Sequence, residues 1–271
     1  KNEGILNIVD LSKIVLERST SAREGILTMG ELAEKYGYQD NAESLLVTDK
    51  NEAYIFHILE SSQPIGAVWA AQKVPDGHIA AVTNGFTIRE IDFQDPSSFL
   101  FSENMVSEAI AAGFYHPSSS PSFDFTKVFG GGGSGPQYAV GRRMWRIYSL
   151  LSPLSDLPSI YEDYVAASPY PATLPVQPST VNKSLVFRTM RDFYAGTKYA
   201  LNQGMAGGYA GTPTRWSPGP GEQEVHGRWE RPISLYRSQI SFVIEMPPRS
   251  SSPTELSSPP PPPPPHPPPP P

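Results

Sequence analysis

Apolar residues recur at helical spacing from the start of the chain. Ile8, Leu11 and Val15 form one stripe and predict a helix over residues 7–19. Ser21, with Glu24 three positions on, carries the signature of a capping box. Ile26, Met29, Ala33 and Tyr36 then repeat at helical spacing up to Gly37, a residue suited to a helix stop. The pattern predicts two helices packed together. The period next changes to two. Residues 44–48 and 53–60 read as a hairpin about the Asp49-Lys50-Asn51 turn. In its second strand Tyr54, Phe56 and Ile58 face one way and Ile55, His57 and Leu59 the other, so that strand is expected between two layers. Residues 67–74 and 78–88 read as further strands about a Pro75-Asp76-Gly77 turn, extending an antiparallel meander.

Helical patterns return over residues 103–112, with Ser102 as cap and Gly113 as stop. They return again over 137–151, with Val140, Met144, Ile147 and Leu151 inward and Pro153 as terminator. A third runs over 183–194, with Leu185, Val186, Met190 and Tyr194 on one stripe and its end near Gly196. Residues 232–245, including Ile240, Phe242 and Ile244, read as one or two strands. Helices and antiparallel strands in separate runs predict an α+β fold. The character changes at Pro247-Pro248. From there a Ser/Pro stretch leads to residues 259–271, all proline except His266, and such a run forms solvated polyproline II. The expected organisation is one folded domain over residues 1–246 and a disordered tail over 247–271. The tail is either a ligand for an aromatic-groove domain or an extension without a partner. The first residue is Lys1 and no signal peptide follows it, so the chain is expected to begin partway into a longer protein.

Composition narrows the chemistry. A net charge of −6 gives no argument for nucleic acid. With 38% hydrophobic and 18% charged residues, the 271-residue chain is too apolar for wholesale disorder. No run approaches the roughly 18 apolar residues of a membrane span. There is no cysteine, which excludes disulfides, thiolate metal sites and a cysteine nucleophile within these residues. None of the five histidines is spaced like a metal ligand pair, so no metal and no organic cofactor is expected. The loop over 130–135 lacks the Lys-Ser/Thr pair of a phosphate loop, and Ser134 is followed by Pro136 where a nucleophile elbow needs glycine. His57 reads as a buried core residue, and Asp92 and Asp95 as turn caps. Asn182-Lys183-Ser184 matches a glycosylation sequon.

Two features keep a chemical reading open. In Thr83-Asn84-Gly85-Phe86-Thr87, Asn84 is either an amide donor to a developing oxyanion or part of a β-bulge. Arg142, Arg143 and Arg146 are either a carboxylate-binding cluster or a solvated helix face.

The chain as a whole resembles a family. Gly30-Glu31-Leu32-Ala33-Glu34-Lys35-Tyr36-Gly37, Asn51-Glu52-Ala53-Tyr54 and Val68-Trp69-Ala70-Ala71-Gln72-Lys73-Val74-Pro75-Asp76 open the match. It continues through Ala81 to Glu90, Asp124-Phe125-Thr126-Lys127-Val128-Phe129 and Gly141-Arg142-Arg143-Met144-Trp145. It closes with Arg191-Asp192-Phe193-Tyr194-Ala195-Gly196-Thr197 and Trp229-Glu230-Arg231-Pro232-Ile233-Ser234-Leu235. In this order and spacing the motifs are similar to the dipeptidase/secernin family of cysteine-type peptidases, over residues 1 to about 246. The resemblance implies a four-layer αββα sandwich of N-terminal-nucleophile hydrolases, here partial. It also implies a first mature residue that is a cysteine, whose own α-amino group serves as base, and dipeptides as substrates. Through more distant relatives it implies that Asn84 lines the nucleophile's pocket. Arg143 would orient the nucleophile or bind the dipeptide carboxylate. The nucleophilic cysteine is absent from this chain, and the family's opening strands and C-terminal portion are not found in it. The expected function is therefore dipeptide hydrolysis with a nucleophile from outside this chain. The alternative is an inactive, decayed peptidase domain that binds partners through its polyproline tail.

Overall fold

The computed structural model describes residues 3–40, 42–120, 122–131, 140–159, 170–177, 180–213, 230–235 and 238–246. The loop over 132–139, with Ser134, and the tail over 247–271 lie outside the described residues, as does any role of that tail.

Helix α1 spans Ile8–Arg18, and Asn7 caps it by accepting the N–H groups of Val9 at 2.9 Å and Asp10 at 3.1 Å. Helix α2 spans Ala22–Tyr36. Ser21 accepts the Glu24 N–H at 3.2 Å as expected. The returning Glu24 carboxylate, however, takes the Thr20 N–H at 2.7 Å and the Thr20 hydroxyl at 2.8 Å, so the capping box reaches one residue further back. Gly37 ends α2 at φ 76°, and a Cβ there would stand 2.5 Å from the Gly4 backbone.

Strands β1 (Glu43–Thr48), β2 (Ala53–Glu60) and β3 (Ala67–Lys73) form the expected antiparallel hairpins, with Ser44 opposite His57 and His57 opposite Ala70. Tyr54, Phe56, Ile58 and Trp69 meet Leu11, Ile26, Met29 and Ala33 of the two helices in one core. Ile55, Val68 and Ala70 face a second core with Phe86, Ile88, Met105, Phe123 and Phe125. The two-faced character of β2 is therefore real.

The expected long strand over 78–88 is not formed. Only β4 (His78–Ala80) is extended and paired, and it leaves the sheet to pair with β6 (Thr173–Pro175). The place beside β3 is taken by β5 (Phe99–Phe101), so the sheet order is β1-β2-β3-β5. The segment after β4 finds other partners for its backbone. The Thr87 and Ile88 N–H groups donate to His57, and the Ile88 and Arg89 carbonyls accept from Thr126 and Phe125. These bonds replace a strand ladder.

Helix α3 covers Met105–Ala111, with Asn104 at its N-cap position and no side-chain cap. The expected cap, Ser102, accepts the Trp69 N–H at 3.1 Å instead. Helix α4 (Phe125–Phe129) is capped by Asp124, which accepts the Lys127 N–H at 2.9 Å. Asp92 and Asp95 cap turns as expected. Helix α5 covers Arg142–Leu151, with Val140 and Gly141 in a π-helical turn just before it; residues 137–139 of the expected helix lie outside the described residues. Its Met144 and Tyr148 pack with Val140, Tyr170, Leu174 and Ala81. Ala80 and Val82 face the second core while Ile79 and Ala81 face α5, so the β4–β6 ribbon lies between them. Helix α6 (Lys183–Met190) is capped by Asn182 and stops short of Tyr194, and the single turn α7 covers Gly204–Gly207. The described part of 232–245 holds no strand, and Ile240, Phe242 and Ile244 are exposed. The alternating pattern there has no paired neighbour among the described residues. The result is an α+β architecture with two open antiparallel sheets. No described helix is long and apolar enough to cross a membrane.

Candidate active site

Two elements far apart in sequence bring their arginines to one amide. Asn84 sits in the loop that follows β4, Arg143 in the first turn of α5, and Arg231 in the irregular segment 230–235. The Asn84 Oδ1 accepts from Arg143 Nη2 and, at 3.0 Å, from Arg231 Nη1. A guanidinium has donors only. The amide oxygen must therefore face the arginines, and the Nδ2 group, with its two donors, faces away from them. Burial lowers the Arg143 pKa to about 10; Tyr194 opposes the shift and the neighbouring Arg231 charge adds to it. Arg143 stays cationic at neutral pH.

The other two arginines of the expected cluster point elsewhere, and neither reading of the cluster as a unit holds. Arg142 is buried, ion-paired with Glu230 at 3.1 Å and placed over the Tyr199 ring at 3.7 Å. Arg146 grips Asp192 with two bonds of 2.7 Å and donates to the Ala195 carbonyl at 2.8 Å. Asp192 also accepts the Tyr194 N–H, and the Tyr194 hydroxyl donates to the Arg231 carbonyl, each at 2.7 Å. Tyr194 takes φ 67°, an uncommon conformation for a tyrosine, which this set of bonds holds in place. The buried ion pairs thus fix both ends of the arginine pair around Asn84. The β-bulge reading of Asn84 falls with the strand that would have held it, because β4 ends at Ala80.

Asn84 borders a cleft of about 170 Å³, together with Glu43, Ser44, Phe86, Phe129 and Gly130. That volume is below the roughly 300–1,000 Å³ of sites for drug-sized ligands and suits a small one. Burial, with the nearby Asp40 charge, pushes the Glu43 carboxyl up from its ordinary value. Roomier clefts of about 390 Å³ lie beside Trp145, Ser149 and Asp156 and beside Arg23, Glu52 and Lys73. In the latter, Glu52 is already engaged by Lys73 and Tyr54.

His57 is wholly buried, as expected, and lies behind this cleft. Its ring sits 4.8 Å from Phe86 and 5.9 Å from Phe125. Burial pushes its pKa down to about 3, so the imidazole is neutral at physiological pH. Among the described residues no group of three His, Asp or Glu side chains could hold a metal ion.

Residues 2–257 match the sequence profile of peptidase family C69. The chain belongs to this family. Proteins similar to this C69 chain include a "probable dipeptidase" from Latilactobacillus sakei, 31% identical over 157 residues, which are 55% of this chain and 32% of that protein. Another, of the same description, comes from Salmonella dublin and is 24% identical over 88% of this chain and 48% of its own length. A "probable dipeptidase A" from Streptococcus pyogenes is 30% identical over 97 residues. The matches cover less than half the length of each of these relatives.

Of the two candidates from the sequence, Asn84 and Arg143 are in direct contact. Arg231 lies in the Trp229-Glu230-Arg231 motif without a sequence signal of its role, and the pattern marks Ser44 only as the start of a strand. The spacing from Arg231 to Asn84, 147 residues, leaves no local signal. The Trp229-Glu230-Arg231 motif was the one trace of it.

Proposed function

We propose that this chain supplies the substrate-holding part of a dipeptidase whose nucleophile, the sulfur of an N-terminal cysteine, comes from outside residues 1–271. The observation that carries this reading is the convergence of Arg143 and Arg231 on the Asn84 oxygen, in a chain of a peptidase family. Held in this way, Asn84 presents its Nδ2 donors to whatever occupies the far side. A thiolate that attacks the peptide carbonyl forms the C–S bond and moves the C=O π pair onto oxygen, and Asn84 donates to that oxyanion. The C–N bond then breaks. The leaving amine takes the proton that the cysteine's α-amino group removed from the thiol, and water hydrolyses the thioester. Arg143 remains charged through this sequence and serves the dipeptide carboxylate or the alignment of the nucleophile. The complete enzyme would be a four-layer αββα sandwich, of which the two open sheets form the inner part.

The protein translated from its complete coding sequence is the material for the test. It is expected to hydrolyse dipeptides, and iodoacetamide is expected to abolish the activity. Because residues 1–271 contain no cysteine, thiol-dependent turnover would place the nucleophile outside them. Absence of dipeptide hydrolysis would overturn the reading, and turnover indifferent to alkylation would overturn its cysteine part. Asn84→Ala is expected to lower kcat by about ten- to a thousandfold, the scale of one lost oxyanion donor.

A further inference from the structure

Ser44 and His57 lie directly opposite one another on β1 and β2, and the Ser44 Oγ is 2.7 Å from His57 Nδ1. On the other side of the ring, Nε2 lies 2.8 Å from the Thr87 nitrogen and 3.2 Å from the Ile88 nitrogen. Backbone amides have a proton to give and no lone pair to offer, so Nε2 is the acceptor of both. A neutral imidazole carries one N–H, and it must then be on Nδ1. Ser44 Oγ stands 2.7 Å from that nitrogen, so its oxygen accepts. The single proton of the Ser44 hydroxyl is left to point elsewhere. Among the described residues it has no acceptor, and Ser44 lines the same cleft as Asn84.

We propose that Ser44 is a substrate-binding residue: its hydroxyl, turned outward by the Nδ1–H of His57, donates a hydrogen bond in the cleft beside Asn84 to a carbonyl or carboxylate oxygen of the dipeptide. His57 is the positioning residue. It imposes the polarity of the Ser44 hydroxyl and, through Thr87 and Ile88, ties down the loop that carries Asn84. This inference rests on the dipeptidase reading and adds a second donor to its cleft. Glu43, the neighbour of Ser44 on β1, lines the same cleft.

The test uses the ¹⁵N-labelled chain and L-alanyl-L-alanine as probe. Two-bond ¹H–¹⁵N spectra at neutral pH are expected to show His57 as the neutral Nδ1–H form. The Nε2–H form or an imidazolium would overturn the proposal. Titration with the dipeptide is expected to shift the Ser44 amide and the Asn84 side-chain resonances. Ser44→Ala is expected to weaken binding about three- to tenfold, the range for one neutral hydrogen bond, while Ser44→Thr, which keeps the hydroxyl, stays within about twofold. The His57 spectrum serves as the control that each variant folds. If Ser44→Ala binds like the unaltered chain, the proposal falls and the dipeptide reading stands. If the unaltered chain shows no shift in the cleft, the dipeptide reading falls and takes the proposal with it.

Discussion

The two halves of the molecule are held by different forces. From α1 through β3, the packing is apolar. Leu11, Ile26, Met29, Ala33, Phe56 and Ile58 are at or near zero exposure, and they form one continuous core between two helices and a sheet. From α5 onward the apolar clusters are smaller, and the last of them centres on Tyr194, Leu201 and Ala206. What organises that half is polar: Arg142 with Glu230, Arg146 with Asp192, and Tyr194 bonded at both its N–H and its hydroxyl. Apolar burial is non-directional and sets a shape. Buried charge pairs are directional, demand their partners, and place atoms to within a hydrogen bond. The candidate site lies where these two halves meet, with Ser44 and His57 from the first and Arg143 and Arg231 from the second.

The largest expected effect probes the polar half. Arg146→Ala leaves the Asp192 carboxylate buried without its partner, and about 3–5 kcal/mol of stability should be lost. Urea unfolding followed by tryptophan fluorescence and far-UV circular dichroism would measure it. Coincident transitions would mean that the halves unfold as one, whereas two separated transitions would show that the polar half melts alone. The apolar half is probed by Gly30→Ala. A Cβ at Gly30 would stand 2.3 Å from Trp69 Cε2, so the indole has to move and its bond from Nε1 to Glu34, now 2.7 Å, is disturbed. Overpacking of this kind costs about 1–3 kcal/mol, read as a lowered urea midpoint. A neutral result would mean that the core between α2 and β3 is looser than its burial implies.

The last expected effect is a slope, small per step of pH. The unfolded chain binds a proton on His57 below about pH 6.5, while the folded chain, with that pKa pushed down to about 3, does not. Stability contributed by the neutral ring is therefore complete above pH 6.5 and declines as the pH falls toward 3, by about 1.4 kcal/mol per unit. Unfolding midpoints between pH 6.5 and 5 would show it, and His57→Gln should flatten the slope. An unchanged slope in that variant would assign the acid sensitivity to other groups.

The apolar half was legible in the sequence because its signals are local. Period-two alternation and the turn at Asp49-Lys50-Asn51 mark the β1–β2 hairpin, the alternation continues into β3, and helical stripes with caps set α1 and α2. The misreadings share a cause. Residues 81–88 and 232–245 have strand-like composition, but a strand needs a partner, and the pattern does not say whether one exists. His78 pairs with Pro175, a separation no periodicity reports, and β5 takes the place that 78–88 was expected to fill. At the site, Asn84 and Arg143 were found through family motifs. The contact between them, and the part of Arg231 in it, join residues 59 and 147 positions apart, which no local pattern reports. Ser44 gave no signal because a serine on a strand is ordinary until the histidine opposite it is seen to have only one proton.

The imidazole of His57 also acts as a gauge. One ring nitrogen is bonded to the edge strand and the other to the loop opposite, so the covalent width of a five-membered ring sets the gap between the two walls of the cleft. The walls must shift together or lose a hydrogen bond in a dry interior, and a ligand entering there meets an opening whose breadth is fixed by bond lengths.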